Sequence, residues 1–186
     1  MDSFECIAAR LLEDKGYWTR IGVKVAITKD DKRDLANPTM PRPEIDIVAF
    51  KPATNELLLV ECKSYLDSDG VSMDILAPEA KNWARLKVFH KADLKRLIEA
   101  RIVAQMQATG LLPATMPQIR WVLFAGLIKP GHEQRVSESF TAAGWQLRGP
   151  EEIATQLRRF AQRGYENELA TVVIKLLERN PCESTE

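Results

Sequence analysis

The sequence predicts a single α/β domain built around a mixed β-sheet, and three observations support this fold class. Residues 43–50 and 57–65 contain short apolar runs rich in β-branched residues, and the Pro and Asn between them indicate a tight antiparallel hairpin. Residues 118–148 follow a strand, helix, strand pattern, which implies a parallel strand pair with a right-handed connection. Apolar residues at helical spacing near both ends of the chain indicate amphipathic helices.

The composition narrows the function classes. The chain has 186 residues, enough to bury one hydrophobic core, and its 26 basic and 26 acidic residues cancel to a net charge of zero. This balance excludes a protein that coats nucleic acid through its overall charge. No apolar run approaches a membrane span, the N-terminus lacks the basic region of a signal peptide, and Cys6, Cys62 and Cys182 fit no zinc-binding spacing. We therefore expect a cytoplasmic protein with reduced thiols and no membrane association.

The first predicted elements are a helix and a strand. The helix is capped by Asp2 or Ser3, runs to about Lys15 and ends at Gly16. Weak alternation of apolar and polar residues then predicts a strand at residues 17–27.

Residues 28–42 hold acids, bases and prolines without apolar periodicity, which predicts a loop. The loop leads directly into the hairpin. Its Arg33 and Arg42 are therefore candidates for contact with a nucleic-acid backbone, and the alternative is a merely solvated charged loop.

The hairpin places charged residues together at its open end. A turn centred between Ala53 and Thr54 sets Asp46 opposite Glu61 and Glu44 opposite Lys63, all on one face of the strand pair. The alternation also divides the apolar residues between two faces. One face is predicted to hold Ile45, Ile47, Ala49, Leu58, Val60 and Cys62, and the other Val48, Phe50, Leu57 and Leu59.

Two opposed carboxylates at the edge of a core repel each other, and a cation between them would relieve this repulsion. Opposed side chains in a strand pair lie roughly 5 Å apart at Cβ, where like charges destabilise the pair. A divalent cation between Asp46 and Glu61 removes that repulsion, and Mg²⁺ is commonly bound through one or two carboxylates. The structural alternative is a solvated strand end in which Glu44 and Lys63 form a cross-strand ion pair.

At these residues the chain resembles the PD-(D/E)xK nucleases, the restriction-endonuclease-like superfamily. The pattern is carried by Asp46 and by Glu61-Cys62-Lys63 on the following strand. The family's Pro-Asp dipeptide is spread out here as Pro43-Glu44-Ile45-Asp46, which makes Glu44 a rival of Asp46 as a metal ligand. The resemblance implies Mg²⁺, with Mn²⁺ as a substitute, held by Asp46, Glu61 and the carbonyl of Cys62, and a catalytic role for Lys63.

The first helix carries a further similarity to this superfamily. Phe4-Glu5 followed by Gly16-Tyr17 is similar to an arrangement in Holliday-junction resolvases and Mrr-like restriction enzymes, where such a glutamate faces the metal site. Glu5 is therefore an additional candidate catalytic residue. The alternative is an acidic residue that only favours the dipole of the helix.

Beyond a polar turn at residues 64–70, residues 78–109 are predicted to be helical, with a break near His90. Between residues 81 and 101 there are seven Lys or Arg residues and two acidic residues. This is the one clear basic patch, so Lys87, Lys91 and Lys95 are candidate nucleic-acid contacts, with a solvated helix face as the alternative.

The C-terminal third is predicted to contain a strand at 118–125, a helix at 131–143, a short strand at 145–148 and two further helices from residue 150. Lone His90 and His132 are expected to be ordinary surface histidines. The order helix, three strands, helix, strand matches the restriction-endonuclease-like core and assigns it to residues 1–130. Residues 131–186 are then expected to form a C-terminal α/β extension, largely helical, packed on the same domain.

The sequence therefore predicts a Mg²⁺-dependent nuclease that hydrolyses DNA phosphodiesters. The alternative is a catalytically inactive nucleic-acid- or protein-binding module with the same fold. A homodimer or a partner subunit that recognises the target is compatible with either function. The sequence leaves open the structure of the substrate, its specificity and the choice between endonuclease and exonuclease action.

Overall fold

The hairpin forms the centre of a five-stranded sheet in the computed structural model, which describes residues 2–77, 83–164 and 166–180. In chain order the main elements are α1 (Ser3–Asp14), β1 (Trp18–Lys24), α2 (Lys29–Asp34), β2 (Glu44–Lys51), β3 (Glu56–Lys63), α3 (Met73–Leu76), α4 (Lys87–His90), α5 (Ala92–Ala108), β4 (Gln118–Ala125), α6 (Glu133–Ala142), β5 (Gln146–Arg148), α7 (Pro150–Ala161) and α8 (Leu169–Arg179). The strand order is β1-β2-β3-β4-β5. β1, β2 and β3 pair antiparallel, whereas β3, β4 and β5 pair parallel, so the predicted mixed α/β sheet is confirmed.

Helices cover both faces of this sheet. On one face α5 and α6 pack on residues such as Leu57, Leu59 and Leu123, and we call this the α5-side core. On the other face α1 and α7 pack on Leu58 and Val60 and their neighbours, and we call this the α1-side core. Central strands with apolar residues on both faces are expected for a sheet covered on both sides.

The hairpin has the predicted register from Ile47 opposite Val60 to Lys51 opposite Glu56. The connection is a 3₁₀ turn at Pro52–Thr54, closed by Asn55 in the left-handed region with φ of 49°. Asparagine tolerates this conformation better than most residues, which accounts for its place at the turn.

The predicted position of Ile45 is wrong. Ile45 packs in the α5-side core, whereas Ile47 packs in the α1-side core, although strict alternation would place both on one face. The cause is a kink at Gly22 of β1, which has φ of 65° and lies between the pairs Ile21–Ile47 and Val23–Ile45. Glycine adopts this backbone conformation without a steric penalty, so the alternation of side chains between the two faces breaks there.

The predicted loop at residues 28–42 contains α2. Thr28 accepts a hydrogen bond from the Asp31 N–H at 3.1 Å, and the Asp31 carboxylate accepts one from the Thr28 N–H at 2.7 Å. This reciprocal capping box starts the helix without any apolar periodicity. Asp31 also accepts a hydrogen bond from Arg101 of α5 at 2.6 Å, which ties α2 to the sheet-covering helix.

The remaining helix predictions are largely confirmed within the described residues. The predicted helix at 78–109 begins outside them; from Trp83 it continues as a 3₁₀ turn, α4 and α5, with a break in extended conformation at Lys91. At the C-terminus, α8 leaves much of its apolar face exposed, including Leu169, Leu176 and Leu177. No helix among the described residues combines the length and apolar character needed to cross a membrane.

Candidate active site

Asp46 connects β2 to β3 at the point where their ladder ends. The last backbone pair is Ile47 with Val60, and beyond it the Asp46 Oδ2 accepts a hydrogen bond from the Cys62 N–H at 2.7 Å. A carboxylate thus satisfies a backbone donor of β3 that lies beyond the last backbone pair between β2 and β3. This bond fixes the Asp46 side chain beside the residues that flank Cys62.

Glu61 carries a buried carboxylate in this region. Its side chain is 12% exposed, and its Oε2 lies 3.4 Å from the Lys63 Nζ. Burial, opposed by the charge of Lys63 and reinforced by the charge of Asp46, raises the pKa of Glu61 from its ordinary value of 4.5 to about 7. Burial therefore favours the protonated form of Glu61 even though a lysine ammonium lies beside it.

Lys63 is 20% exposed at its side chain. Burial disfavours its charge, but the carboxylates of Glu61 and Asp46 outweigh that effect and raise the pKa of Lys63 above its ordinary value. The ammonium therefore stays charged at neutral pH. It can stabilise negative charge in a bound ligand, but it is a poor proton acceptor.

The Cys62 side chain and Glu5 lie on the α1 side of the sheet. The Cys62 side chain packs with the α1-side core, and burial, together with the charges of Asp46 and Glu5, raises the pKa of its thiol. The thiol thus stays protonated, and metal binding by the Cys62 carbonyl remains a prediction. Glu5 lies near enough to act on Cys62, yet its carboxylate accepts the Asp2 N–H at 3.3 Å within a capping box, which supports the helix-stabilising alternative.

The cross-strand pair between Glu44 and Lys63 does not form. Glu44 is exposed and lies opposite Lys24 of β1, while Lys63 contacts Glu61. The reason is that the β2–β3 ladder ends at Ile47, before Glu44 could come opposite Lys63. Lys63 therefore contacts the acidic residue Glu61 and does not form the cross-strand ion pair of a solvated strand end.

The donor set suits a hard divalent cation. Asp46 and Glu61 each have one carboxylate oxygen that makes no hydrogen bond within the described part of the chain. Two carboxylates with free oxygens are a common protein contribution to a Mg²⁺ site that keeps several waters. Within the same residues no group of three or more His, Cys, Asp or Glu side chains is arranged to hold a metal.

His90 and His132 lie outside this site. The ring of His90 hydrogen-bonds the Ile75 carbonyl at 2.7 Å, and Nδ1 of His132 accepts the Met73 N–H at 3.3 Å. Both rings thus have structural partners.

The candidate phosphate contacts have unequal surroundings. Arg33 pairs with Asp30 at 2.8 Å, and both are exposed on α2, while Arg42 is exposed just before β2. Lys91 and Lys95 place their ammonium groups over aromatic rings, at 5.5 Å from Trp83 and 5.8 Å from Trp145. Lys87 is exposed on α4.

Two arginines of the basic patch are neutralised by acidic partners, and one of its lysines falls outside the described residues. Arg96 pairs with Asp93, and Arg101 pairs with Asp31 at 2.6 Å. Fewer basic side chains of the patch are thus left for a ligand than the seven counted in the sequence. The patch that remains consists mainly of Lys87, Lys91 and Lys95, together with Arg85.

Replacing Lys87, Lys91 and Lys95 by glutamine is expected to weaken DNA binding equally for all sequences. The affinity for duplex DNA falls with salt, and each phosphate contact contributes about −0.9 to the slope of log affinity against log salt. Losing three contacts should therefore make the slope less negative by about 3. The measurement is a salt titration of binding to labelled duplexes of unrelated sequence.

The control removes the same charge from other surfaces, with Arg20, Lys24 and Arg135 replaced by glutamine. All three are exposed. The basic patch would be only a solvated helix face if the helix variant had the same salt slope as the wild type. The same conclusion would follow if the control variant lost as much DNA affinity as the helix variant.

A cavity of about 300 Å³ opens just beyond Lys63 and was not predicted from the sequence. Its walls include Tyr65, Ser72, Arg85 and Lys129, which come from three separate segments. Only the polar turn after Lys63 signalled it in the sequence, because the other walls reach it through tertiary packing.

Comparisons with known proteins give no assignment. No protein-family model matches the chain, and no curated protein gives a significant match. The crystal structure of AF1548, a protein of unknown function, aligns with 94% of this chain and 75% of its own, at 18% sequence identity and a TM-score of 0.42. At this level of similarity AF1548 assigns neither a family nor an activity to the chain.

Proposed function

We propose that the protein is a metal-dependent nuclease that hydrolyses DNA phosphodiester bonds. The observation that carries this proposal is the buried carboxylate of Glu61, which lies beside Asp46 and within 3.4 Å of the Lys63 ammonium. Buried titratable groups whose pKa values are displaced by burial and by specific neighbours concentrate at functional sites. An acidic pair with an adjacent lysine also suits phosphodiester chemistry, which needs both a metal and a positive charge.

In this proposal Asp46 and Glu61 hold Mg²⁺, with the Cys62 carbonyl as the ligand that the PD-(D/E)xK resemblance implies. When bound, the ion would supply an activated water and charge stabilisation on the phosphoryl group. Asp46 keeps its place because Oδ2 is fixed by the Cys62 N–H. Lys63, held charged by its two acidic neighbours, stabilises the negative charge that develops on the phosphate oxygens.

One observation favours the alternative of an inactive binding module. The hydrogen bond from the Cys62 N–H gives Asp46 a structural purpose that requires no metal. Metal binding separates the two functions, since an inactive module has no need of a cation at Asp46 and Glu61.

The test is incubation of the protein with labelled duplex, single-stranded and four-way-junction DNA in Mg²⁺, in Mn²⁺ and with a chelator. We expect cleavage of at least one substrate with either metal, none with the chelator, and none by Glu61→Gln. Cleavage that survives the chelator or the Glu61→Gln substitution would contradict the proposed site. Failure of the wild type to cleave any substrate, without metal-dependent stabilisation, would favour the inactive module.

A further inference from the structure

The cavity beyond Lys63 lies at the carboxyl ends of β3 and β4, and we call it the Tyr65 cavity. It measures about 300 Å³, and its walls include Tyr65, Ser72, Asp74, Arg85 and Lys129. Tyr65 follows Lys63 by two residues, so their Cα atoms are at most about 7 Å apart. Lys63 does not line the cavity itself, but its backbone lies next to the wall that Tyr65 forms.

The cavity has a rigid wall. Val71 forms a parallel bridge with Ile128, in which the Val71 N–H donates to the Leu127 carbonyl and the Lys129 N–H donates to the Val71 carbonyl, each at 2.9 Å. Gly70 has φ of 86°, and a Cβ there would lie 2.9 Å from the backbone of Ile128 and Lys129. Only glycine fits such a close approach, so the Lys129 wall is held firmly against Gly70 and Val71.

Tyr65 forms another wall and has an uncommon backbone conformation. Its φ is 48°, a value that aromatic residues rarely adopt, and its carbonyl accepts hydrogen bonds from both the N–H and the hydroxyl of Ser68 at 3.1 Å. Residues held in such conformations cluster at ligand-binding sites. The guanidinium of Arg85 lies 5.7 Å from the centre of the Tyr65 ring. The two side chains together present flat, cationic and aromatic surfaces.

The charges in the cavity suit a phosphate beside a planar ring. Arg85 is exposed and has no acidic partner within 4.0 Å among the described residues. In the described ranges the one acidic contact of Lys129 is a long one, 3.9 Å to Asp69, whose side chain is 90% exposed. Arg85 and Lys129 give the cavity two cations that can contact a phosphate, and Asp69 and Asp74 line it with two carboxylates. Ser72 and Asp74 offer a hydroxyl and a carboxylate to the polar edge of a base.

The size of the cavity selects among nucleic-acid ligands. A volume of about 300 Å³ is at the lower end of the range for small-molecule sites. A cavity of this size suits a ligand no larger than a single nucleotide. Bases that are not paired are recognised by stacking on aromatic and arginine side chains, as the Tyr65 and Arg85 surfaces allow.

We propose that the Tyr65 cavity binds one unpaired nucleotide next to the phosphate that is cut, so that the preferred substrate is single-stranded or frayed DNA. This inference rests on the proposed nuclease function, because that function places the phosphate at Lys63. It narrows the substrate class of the same site from any DNA to DNA with an unpaired base at the cleavage position.

The test compares the affinity of the full chain for a short labelled single strand and for a duplex of the same sequence, measured by fluorescence anisotropy in chelator. We expect the wild type to prefer the single strand. Arg85→Gln and Tyr65→Leu should each lower the single-strand affinity about tenfold, the scale of one lost base stack. Tyr65→Leu should leave duplex affinity unchanged, whereas Arg85→Gln, which also removes a charge of the basic patch, should lower duplex affinity by less than single-strand affinity. Arg20→Gln, which removes an exposed charge from the edge strand β1, should change neither affinity.

Tyr65→Leu keeps an apolar side chain against the α5-side core, and Arg85→Gln alters only an exposed residue, so the second variant decides the test if the first fails to fold. Equal affinities of the wild type for both DNAs, or no effect of Arg85→Gln, would overturn the cavity proposal. Metal-dependent cleavage by the wild type, measured separately, distinguishes this failure from failure of the nuclease. If the protein binds single strands through the cavity but cleaves no substrate, the result would support the cavity proposal and contradict the nuclease proposal.

Discussion

Replacing Glu61 by glutamine is expected to stabilise the metal-free protein at pH 8 and to abolish its stabilisation by Mg²⁺. In the folded chain burial, with the charge of Asp46, raises the pKa of Glu61 from 4.5 to about 7 against the opposing effect of Lys63. The folded state therefore holds this proton more tightly than the unfolded state does. The stability that the protonated group contributes is complete below pH 4.5 and is lost as the pH rises through 7.

The size of the effect follows from the displacement of the pKa. A change from 4.5 to about 7 corresponds to about 3 kcal/mol of unfolding free energy at alkaline pH. Glutamine has no charge to desolvate and recovers most of that free energy in the metal-free protein. In the wild type a bound cation instead offsets the free-energy cost of ionising Glu61. Binding raises the unfolding free energy by about 2.7 kcal/mol when Mg²⁺ is in hundredfold excess over its Kd.

The measurement is thermal unfolding at several pH values, with chelator and with millimolar Mg²⁺. Glu44→Gln is the matched control, because Glu44 is exposed on the same strand as Asp46 and is its rival as a metal ligand. Asp46→Asn should also lose the Mg²⁺ effect, although its side-chain oxygen can still accept the Cys62 N–H. An equal Mg²⁺ shift in the wild type and in Glu61→Gln would remove Glu61 as a ligand. Loss of that shift in Glu44→Gln alone would assign the site to Glu44.

The hairpin could be predicted from the sequence because its register depends on local signals. The turn residues and the alternation up to Ile47 fix the pairing of β2 with β3. The alternation fails at Ile45 because the kink that moves it lies on another strand, at Gly22. A single glycine in a weakly alternating segment was not a sufficient sign of that kink.

α2 was missed for a different reason. Its Thr28 and Asp31 form a capping box, a local signal that was present in the sequence. The prolines and the lack of apolar periodicity outweighed that signal in favour of a loop. Six residues held by a cap and by Arg101 need no apolar stripe of their own.

The proximity of Glu61 and Lys63 follows from their spacing on one strand, so the sequence was sufficient to place them together. The burial that displaces the pKa of Glu61 was not predictable in the same way. It depends on tertiary packing around the end of β3, where β4 pairs in parallel and Asp46 of β2 accepts the Cys62 N–H. The Tyr65 cavity is non-local for the same reason.

Lys63→Met is expected to slow single-turnover cleavage by roughly 10²-fold or more at saturating Mg²⁺, the scale seen when a positioned charge-stabilising group is removed. Lys63 is the cation that opposes the rise in the pKa of Glu61, so its loss leaves that carboxylate even harder to ionise in the metal-free protein. Folding should therefore be compared with Mg²⁺ present, where the metal replaces the missing charge. Lys24→Met is the matched control, because Lys24 is exposed on the edge strand β1, and this variant should cleave at the wild-type rate. If Lys63→Met cuts at the wild-type rate a substrate that the wild type cuts, then the ammonium takes no part in the chemical step, and its contact with Glu61 is only structural.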